Sequence, residues 1–362
     1  MSEIKVNSIK GVGASTAAIT VNNTDGTCTA NLTNRTNKNL ILNGAFQIAQ
    51  RSTSSTGSGY TTVDRFSVEH NGADEAPTMA QADVASGTTP YTLGFRKALK
   101  ITNGNQTGGA GASDYIQIMQ RVEAQNMATS GWNYVSSSSF ITFSFYIKSS
   151  VAQAFSGSLR SHDGTSYSYK FDTPSISTDT WTKVTKIIPG NSNLTFDNDN
   201  GNGLSIHLYP YIGTSYTTAN SDTETWVTGG SGNYANDMTS TWYTTNDATF
   251  ELTGVQFEVG SVATDFEHRS FAQEFTLCQR YYAVAGTIMQ TATPQRWVNT
   301  IHLPVEMRAK PTISVGAFDS GSGGSISSQW DSSSGNNSKR AFYQSGNHSS
   351  VSASYFKFDA EL

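Results

Sequence analysis

Residues 252–282 read LTGVQFEVGSVATDFEHRSFAQEFTLCQRYY and bring cysteine, histidine, glutamate and arginine close together in sequence. Cys278 and His268 are the pair that could do nucleophilic chemistry, since a thiol attacks only as a thiolate, usually beside an imidazole. They stand ten residues apart, straddling a turn and a helix, with no signature flanking the cysteine. Ser270 with Gln273 has the spacing of a capping box, and Phe271, Phe275, Cys278 and Tyr282 follow at helical intervals. The pattern predicts one amphipathic helix over 271–283 with the thiol on its apolar stripe, where burial raises its pKa and leaves it inert. The stretch is read as a joint between two parts of the chain.

Other chemistries find less support. A glycosidase needs two carboxyls held about 5–9.5 Å apart. Among 28 Asp and Glu residues some pair must fall close by chance, and none sits in a motif. Nor is there the 20–30-residue repeat of a polysaccharide-cleaving solenoid. DNDNGNG at 197–203 offers oxygen ligands at alternating positions, as calcium requires, but the twelfth position of an EF-hand loop would be Leu208 instead of Glu. A plain Asn/Gly turn is the main reading, with a structural calcium held in part by Asp197 or Asp199 as the alternative. The six histidines are scattered, away from zinc spacing, and the Gly-rich runs lack the Lys and Ser/Thr of a phosphate loop.

Aromatics in polar loops carry more. Trp132 and Tyr134 lie in GWNY, Tyr209, Tyr211 and Tyr216 in LYPYIGTSY, and Trp226, Tyr234, Trp242 and Tyr243 in the polar stretch 219–247. Sugars stack their apolar C–H faces on such rings while amides and carboxylates bond the hydroxyls. Trp132, Tyr134, Tyr209, Tyr211, Tyr216, Trp226 and Trp242 are therefore the candidate glycan-binding residues. The competing reading packs each ring under its own loop or against a neighbouring subunit.

Composition sets the frame for these residues. The chain has 362 residues, 36% hydrophobic and 14% charged, both below the usual globular share, with 11% aromatics. Disordered chains lose aromatics, so this composition points to many short strands joined by Ser-, Thr-, Asn- and Gly-rich loops. A net charge of −5 without a Lys/Arg run argues against nucleic-acid binding. No apolar stretch approaches membrane-spanning length, and MSEIKVNSIK lacks the core of a secretory signal. Cys28 and Cys278 are expected as two free thiols in a reducing cytosol. An adhesin-like composition without an export signal fits a viral structural protein made in the host cytoplasm and released by lysis.

The elements that must position the loops follow from period-two alternation. Residues 1–40 (EIKVNSI, then AAITVNN) form a strand-bearing segment too small to bury a core alone. Residues 41–268 form one β-rich domain with strands expected at 64–70, 96–102, 114–123, 139–149, 166–172, 181–189, 203–213 and 248–259. About eight strands at this spacing fit a two-sheet sandwich or jelly roll. In SFITFSFYIKS the set Ile141, Phe143, Phe145 and Ile147 is uniformly apolar and should face the core. A linking helix occupies 269–283. Residues 284–362 read as a small C-terminal β-domain, with strands in RWVNTIHLPVEM, KPTISVGAF and SASYFKFDAEL and a long Ser/Gly loop at 319–339. The fold class expected is all-β.

Motif order supplies a resemblance. NLILNGAFQIAQRS at 39–52, YTTVDRFSV at 60–68, then YIQIMQRVE, FITFSFYIKSS, WTKVTKIIPG and the joint quoted above resemble the β-domain of bacteriophage tail-fibre and tailspike proteins. The match spans 39–283. It implies a jelly roll like that of carbohydrate-binding modules, in a homotrimeric virion appendage that contacts host surface polysaccharide or lipopolysaccharide. It also implies that residues 1–40 attach the chain to other tail proteins. No catalytic residues come with this domain type, so the expectation is a non-enzymatic receptor-binding fibre. A structural tail adaptor or decoration protein, and a depolymerase spike, are the alternatives.

Overall fold

A computed structural model describes residues 6–10, 12, 19–21, 28–30, 37–218, 222–230, 234–285, 288–289, 298–318, 326–330, 340–345 and 352–362. The fold is all-β, with short helical turns and one longer helix, Phe271–Gln279. Two six-stranded antiparallel sheets face each other. The first runs Trp226–Thr228, Tyr167–Asp172, Ser156–Ser161, Asn202–Ile212, Tyr115–Glu123 and Ser67–Asn71 in spatial order. The second runs Thr182–Pro189, Phe140–Ser149, Thr249–Val259, Lys97–Thr102, Thr78–Asp83 and Ser54–Ser55. Every strand expected between residues 64 and 259 forms within the described residues.

The core between the sheets is built by alternation. Ile141, Phe143, Phe145 and Ile147 are all fully buried, as their shared face requires. Phe143 meets Phe171 edge-on at 5.9 Å and Phe257 at 6.1 Å, so the rings tie the two sheets together. Two strands have no apolar signature to announce them. SGSLRS at Ser156–Ser161 is central and buried, yet Leu159 is its only large apolar residue. TMAQAD at Thr78–Asp83 pairs with Lys97–Thr102 on the strength of its main chain.

The NLILNGAFQIAQ segment is held by its asparagines. Asn39 Oδ1 accepts from the amides of Ile41 and Phe257, while its Nδ2 donates to Val255 O. Asn43 sits at φ +58° and its side chain bonds Ile48 and Asp64. The partner surface is a bulge in Thr249–Val259, where the register shifts between Thr253 and Gln256. Gly254 occupies that bulge at φ +63°, and a Cβ there would lie 2.7 Å from the Phe95 ring.

The joint is a clasp. Glu267 accepts from the amides of Asn37 and Asn39, and Arg269 donates to Ile41 O and Asn39 O. Glu274 accepts from Asn43 N, so the helix is pinned to the entry of the β-domain. Ser270 caps that helix with the expected box to Gln273. The helix stops at Gln279, earlier than the 271–283 pattern, because Tyr282–Ala285 is drawn into pairing with Ser352–Asp359. Its stripe also divides: Cys278 is buried, but Phe271 is 60% exposed.

Beyond the joint, Ser352–Asp359 pairs with Tyr282–Ala285, Ile288–Met289 and Thr312–Phe318. Val298–His302, Arg340–Ser345 and Ile326–Trp330 make a three-stranded sheet. The long loop expected at 319–339 is thus interrupted by a strand, Ile326–Trp330, whose main chain pairs with Arg340–Ser345; its flanking residues lie outside those described. At the other end Ser8–Ile9, Ile19–Val21 and Cys28–Ala30 form a small antiparallel sheet. Much of the 1–40 segment, and the side chain of Cys28, lie outside the described residues.

Candidate functional site

The joint offers no chemistry. Cys278 is fully buried, and its thiol is pushed far up by burial and by the nearby carboxylates of Asp64 and Glu274. His268 Nε2 is bonded to Leu93 O, and its ring packs against Phe95 and Phe266. An opening of about 720 Å³ lies beside it, lined by Lys38, Glu267, Arg269 and Thr276 among others. Glu267 and Arg269 are engaged in the clasp, and Lys38 bonds Thr264 and Asp265 O.

The chemistry gathers on the outer face of the first sheet. Alternation that buries Ile116, Ile118 and Val122 turns Tyr115, Gln117, Met119 and Arg121 outward. Ser205, His207 and Tyr209 of the adjacent strand, and Ser158 and Arg160 of the next, share that face. The register aligns Arg121 with Ser205 and Ser205 with Arg160, a row with one arginine on each side of a serine. Met119, His207 and Ser158 form the next row, and Glu69 pairs with Gln117 at the far end.

Among the described residues, 213–218 and 234–240 cover one half of this face. Asn236 bonds Asp172 and Ser156, and Lys170 Nζ donates to Thr218 Oγ1. The uncovered half is a cleft of about 270 Å³ whose wall is aromatic. Tyr216 meets Tyr115 edge-on at 5.6 Å and Tyr234 at 6.0 Å, and all three rings are half-buried. The Arg160 guanidinium lies over Tyr234, 4.2 Å from the ring centre.

The floor is polar and incompletely bonded. Ser205 Oγ links His162 Nε2 at 2.8 Å to His207 Nε2 at 2.7 Å, the roles following the tautomers. His162 is held down to about 4 by burial and then by Arg160 and Arg121, and His207 is pushed well down by the same causes. Both rings are therefore neutral near pH 7. Ser205 is fully buried, which removes it from a substrate's reach as a nucleophile. His207, 5% exposed, keeps Nδ1 without a partner, and so does the buried Nε of Arg160. Orphaned buried groups are costly and rare.

The loop aromatics expected to bind sugar divide. Tyr209 and Tyr216 line the cleft. Tyr209 is 1% exposed, its hydroxyl bonded to Ser158 and its ring stacked beside His207. The others pack beneath their own loops. Trp132 is 3% exposed, donates to Ser139 O and packs with Tyr134 and Phe196. Tyr211 stacks on Tyr243 at 4.4 Å. Trp226 packs on Tyr169 and donates to Pro189 O. Trp242 is fully buried and donates to Thr249 O. With indole N–H groups satisfied by main-chain carbonyls, these tryptophans present no free face to a ligand. Tyr115, Arg121, Arg160, His162, His207 and Tyr234 lie outside the glycan-binding candidates given above; period-two alternation in the 114–123 strand is the signal that puts Tyr115, Gln117 and Arg121 on one face.

At the Asn/Gly turn, Asp199 Oδ1 accepts from Gly201 N and Asp163 Oδ2 accepts from Asp197 N. Among the described residues no three His, Cys, Asp or Glu side chains converge to hold a metal ion.

No family model matches the sequence, and no curated protein does. Among solved structures, the chain is similar to the enzymatically active domain of bacteriophage CBA120 tailspike protein 4, at 10% identity and TM-score 0.32 over 61% of this chain and 21% of that one. It is similar to a Bacteroides thetaiotaomicron protein assigned to sugar binding, at 11% identity and TM-score 0.34, over 62% of this chain and all of that one. A family 11 carbohydrate-binding module from Clostridium thermocellum, in complex with a mixed-linked tetrasaccharide, aligns at 14% identity and TM-score 0.26 over 59% of this chain and 98% of that one. The chain spans about a fifth of the tailspike domain's length. Likenesses this distant carry no weight for function.

Proposed function

We propose that this chain is a non-enzymatic attachment protein of a bacteriophage tail that binds host surface polysaccharide or lipopolysaccharide through the Tyr115–Tyr216–Tyr234 cleft. The observation that carries this reading is the cleft itself, an aromatic wall beside a polar floor with unsatisfied buried groups. Sugar rings need both surfaces, one for C–H faces and one for hydroxyls. The tail placement rests on the order of motifs over 39–283. In this reading residues 1–40 attach the chain to the tail, and three copies let weak single sites act together.

Binding is tested by applying the purified full chain to arrays of bacterial capsular polysaccharides and lipopolysaccharides. Tyr234→Ala is expected to weaken binding about tenfold, roughly 1.4 kcal/mol, through loss of stacking area. Failure to bind any polymer, or a Tyr234→Ala variant that binds as well as wild type, would sink the reading. Release of reducing ends from a bound polymer would contradict the non-enzymatic part. Light scattering should return a native mass three times the 38.9 kDa of the chain. A monodisperse monomer would remove the trimeric appendage.

A further inference from the structure

We infer that the glycan accepted by this cleft is acidic, and that its anionic group lands on Arg160, at the end of the cleft where Arg121 also lies. This rests on the glycan-binding reading above and specifies what the sugar carries. Three independent features of the cleft lead to it.

The first is the pairing of the arginines. Among the described residues Arg160 has no carboxylate within ion-pair distance, while Arg51, Arg65, Arg269 and Arg280 all do. Arg121 Nη1 donates to Leu362 O and the side chain also bonds Tyr60. Arg160 is held by stacking on Tyr234, and its buried Nε has no partner. Stacking orients a guanidinium without using its in-plane donors, which leaves the planar fork free for a carboxylate or phosphate.

The second feature is the row geometry. Arg121 and Arg160 flank Ser205 across adjacent strands, so the two cations face the same part of the cleft. Among the described residues the only carboxylate lining the cleft is Glu69, at its other end, where it accepts from Gln117 Nε2 at 2.7 Å. The cleft therefore has a cationic end and an acidic end. That asymmetry is notable in a chain whose overall charge is −5.

The third feature is the state of the floor. The two histidines beside the arginines are held neutral, with Arg160 and Arg121 both acting against their protonation. His207 Nδ1, buried and unpartnered at the cleft floor, supplies one more hydrogen-bonding position. A neutral sugar would leave the Arg160 guanidinium without an anion. A carboxylate or phosphate on the sugar supplies that anion and takes charge-assisted hydrogen bonds from its fork.

The test uses the full chain and four oligosaccharides of matched length, with affinity read by calorimetry. Two are oligogalacturonate and its uncharged galactose counterpart; the third is phosphorylated and the fourth sulfated. The acidic sugars should bind at least tenfold more tightly than the neutral one at 50 mM salt, and the gap should narrow at 500 mM. Preference for the uronate over the phosphorylated and sulfated sugars would identify a carboxylate, and the reverse order a phosphate or sulfate. Arg160→Gln should reduce the acidic-to-neutral ratio severalfold, with Arg160→Lys intermediate because the fork is lost but the charge kept. Equal or tighter binding of the neutral sugar overturns the inference and leaves glycan binding standing, as does an acidic preference that survives Arg160→Gln. Silence in all four arms, from protein that also fails on the polysaccharide arrays, overturns the parent reading and this inference with it.

Discussion

Replacing Arg65 with Leu should destabilise the protein by about 3–5 kcal/mol, the usual cost of leaving one partner of a buried ion pair alone. Arg65 is 1% exposed and its guanidinium lies over the Tyr281 ring, 3.4 Å from the centre. It bonds Glu361, and its Nη2 donates to Arg121 O at 2.7 Å. Leucine fills some of the volume but leaves Glu361 facing, among the described residues, only the Arg51 guanidinium at 3.4 Å. The contact joins the C-terminal strand to the cleft sheet. Hydrogen exchange at Phe356 and Phe358 should therefore rise before that of the Phe143 core. Urea unfolding that matches wild type, with unchanged exchange, would show that Arg51 alone holds Glu361.

A comparable loss, about 3 kcal/mol, is expected for Glu123→Gln. Glu123 has a fully buried side chain and accepts from Arg280 Nε and Nη2, both at 2.9 Å, and from the Tyr281 hydroxyl at 2.5 Å. It ends the central Tyr115–Glu123 strand and anchors the residues that follow the helix. Burial alone would raise its pKa, but the bonds from Arg280, Tyr281 and Gln125 outweigh burial and bring it below its ordinary value of 4.5. A carboxyl depressed in the folded state adds stability above its unfolded pKa. That stability is lost as pH falls below about 4.5 and through the lower folded value. Glu123→Gln should therefore flatten the acid limb of stability against pH as well as lower its plateau. An acid limb as steep as wild type would place the titrating group elsewhere.

Both variants act on contacts that no local pattern announces. Arg65 and Glu361 are 296 residues apart, and Glu123 and Arg280 are 157 apart. Sequence spacing says nothing about such pairs, because tertiary packing alone brings them together. The cleft has the same character. Its wall comes from Tyr115 on a strand and from Tyr216 and Tyr234 in a covering segment, and its cations from two further strand positions.

What the sequence determined by itself is what depends on neighbours in the chain. Period-two alternation in FITFSFYIKS located the core face, since successive side chains must point to opposite sides of a strand. Ser270 and Gln273 located the helix start through groups three residues apart. The apolar stripe around Cys278 was enough to read that thiol as inert. Ring exposure, by contrast, is a property of everything folded over the ring. GWNY and LYPYIGTSY look alike as polar aromatic loops, yet Trp132 donates to Ser139 O beneath its loop while Tyr216 stands at a cleft edge. SGSLRS, almost without apolar residues, became a central strand because its backbone pairs on both sides, with Ser158 and Arg160 on the outer face and Leu159 in the core. Local periodicity decided the strands that carry an apolar face and which of their residues point to the core; only the tertiary structure decided which polar segments join the sheets, which polar and aromatic side chains meet, and which of them remain unsatisfied.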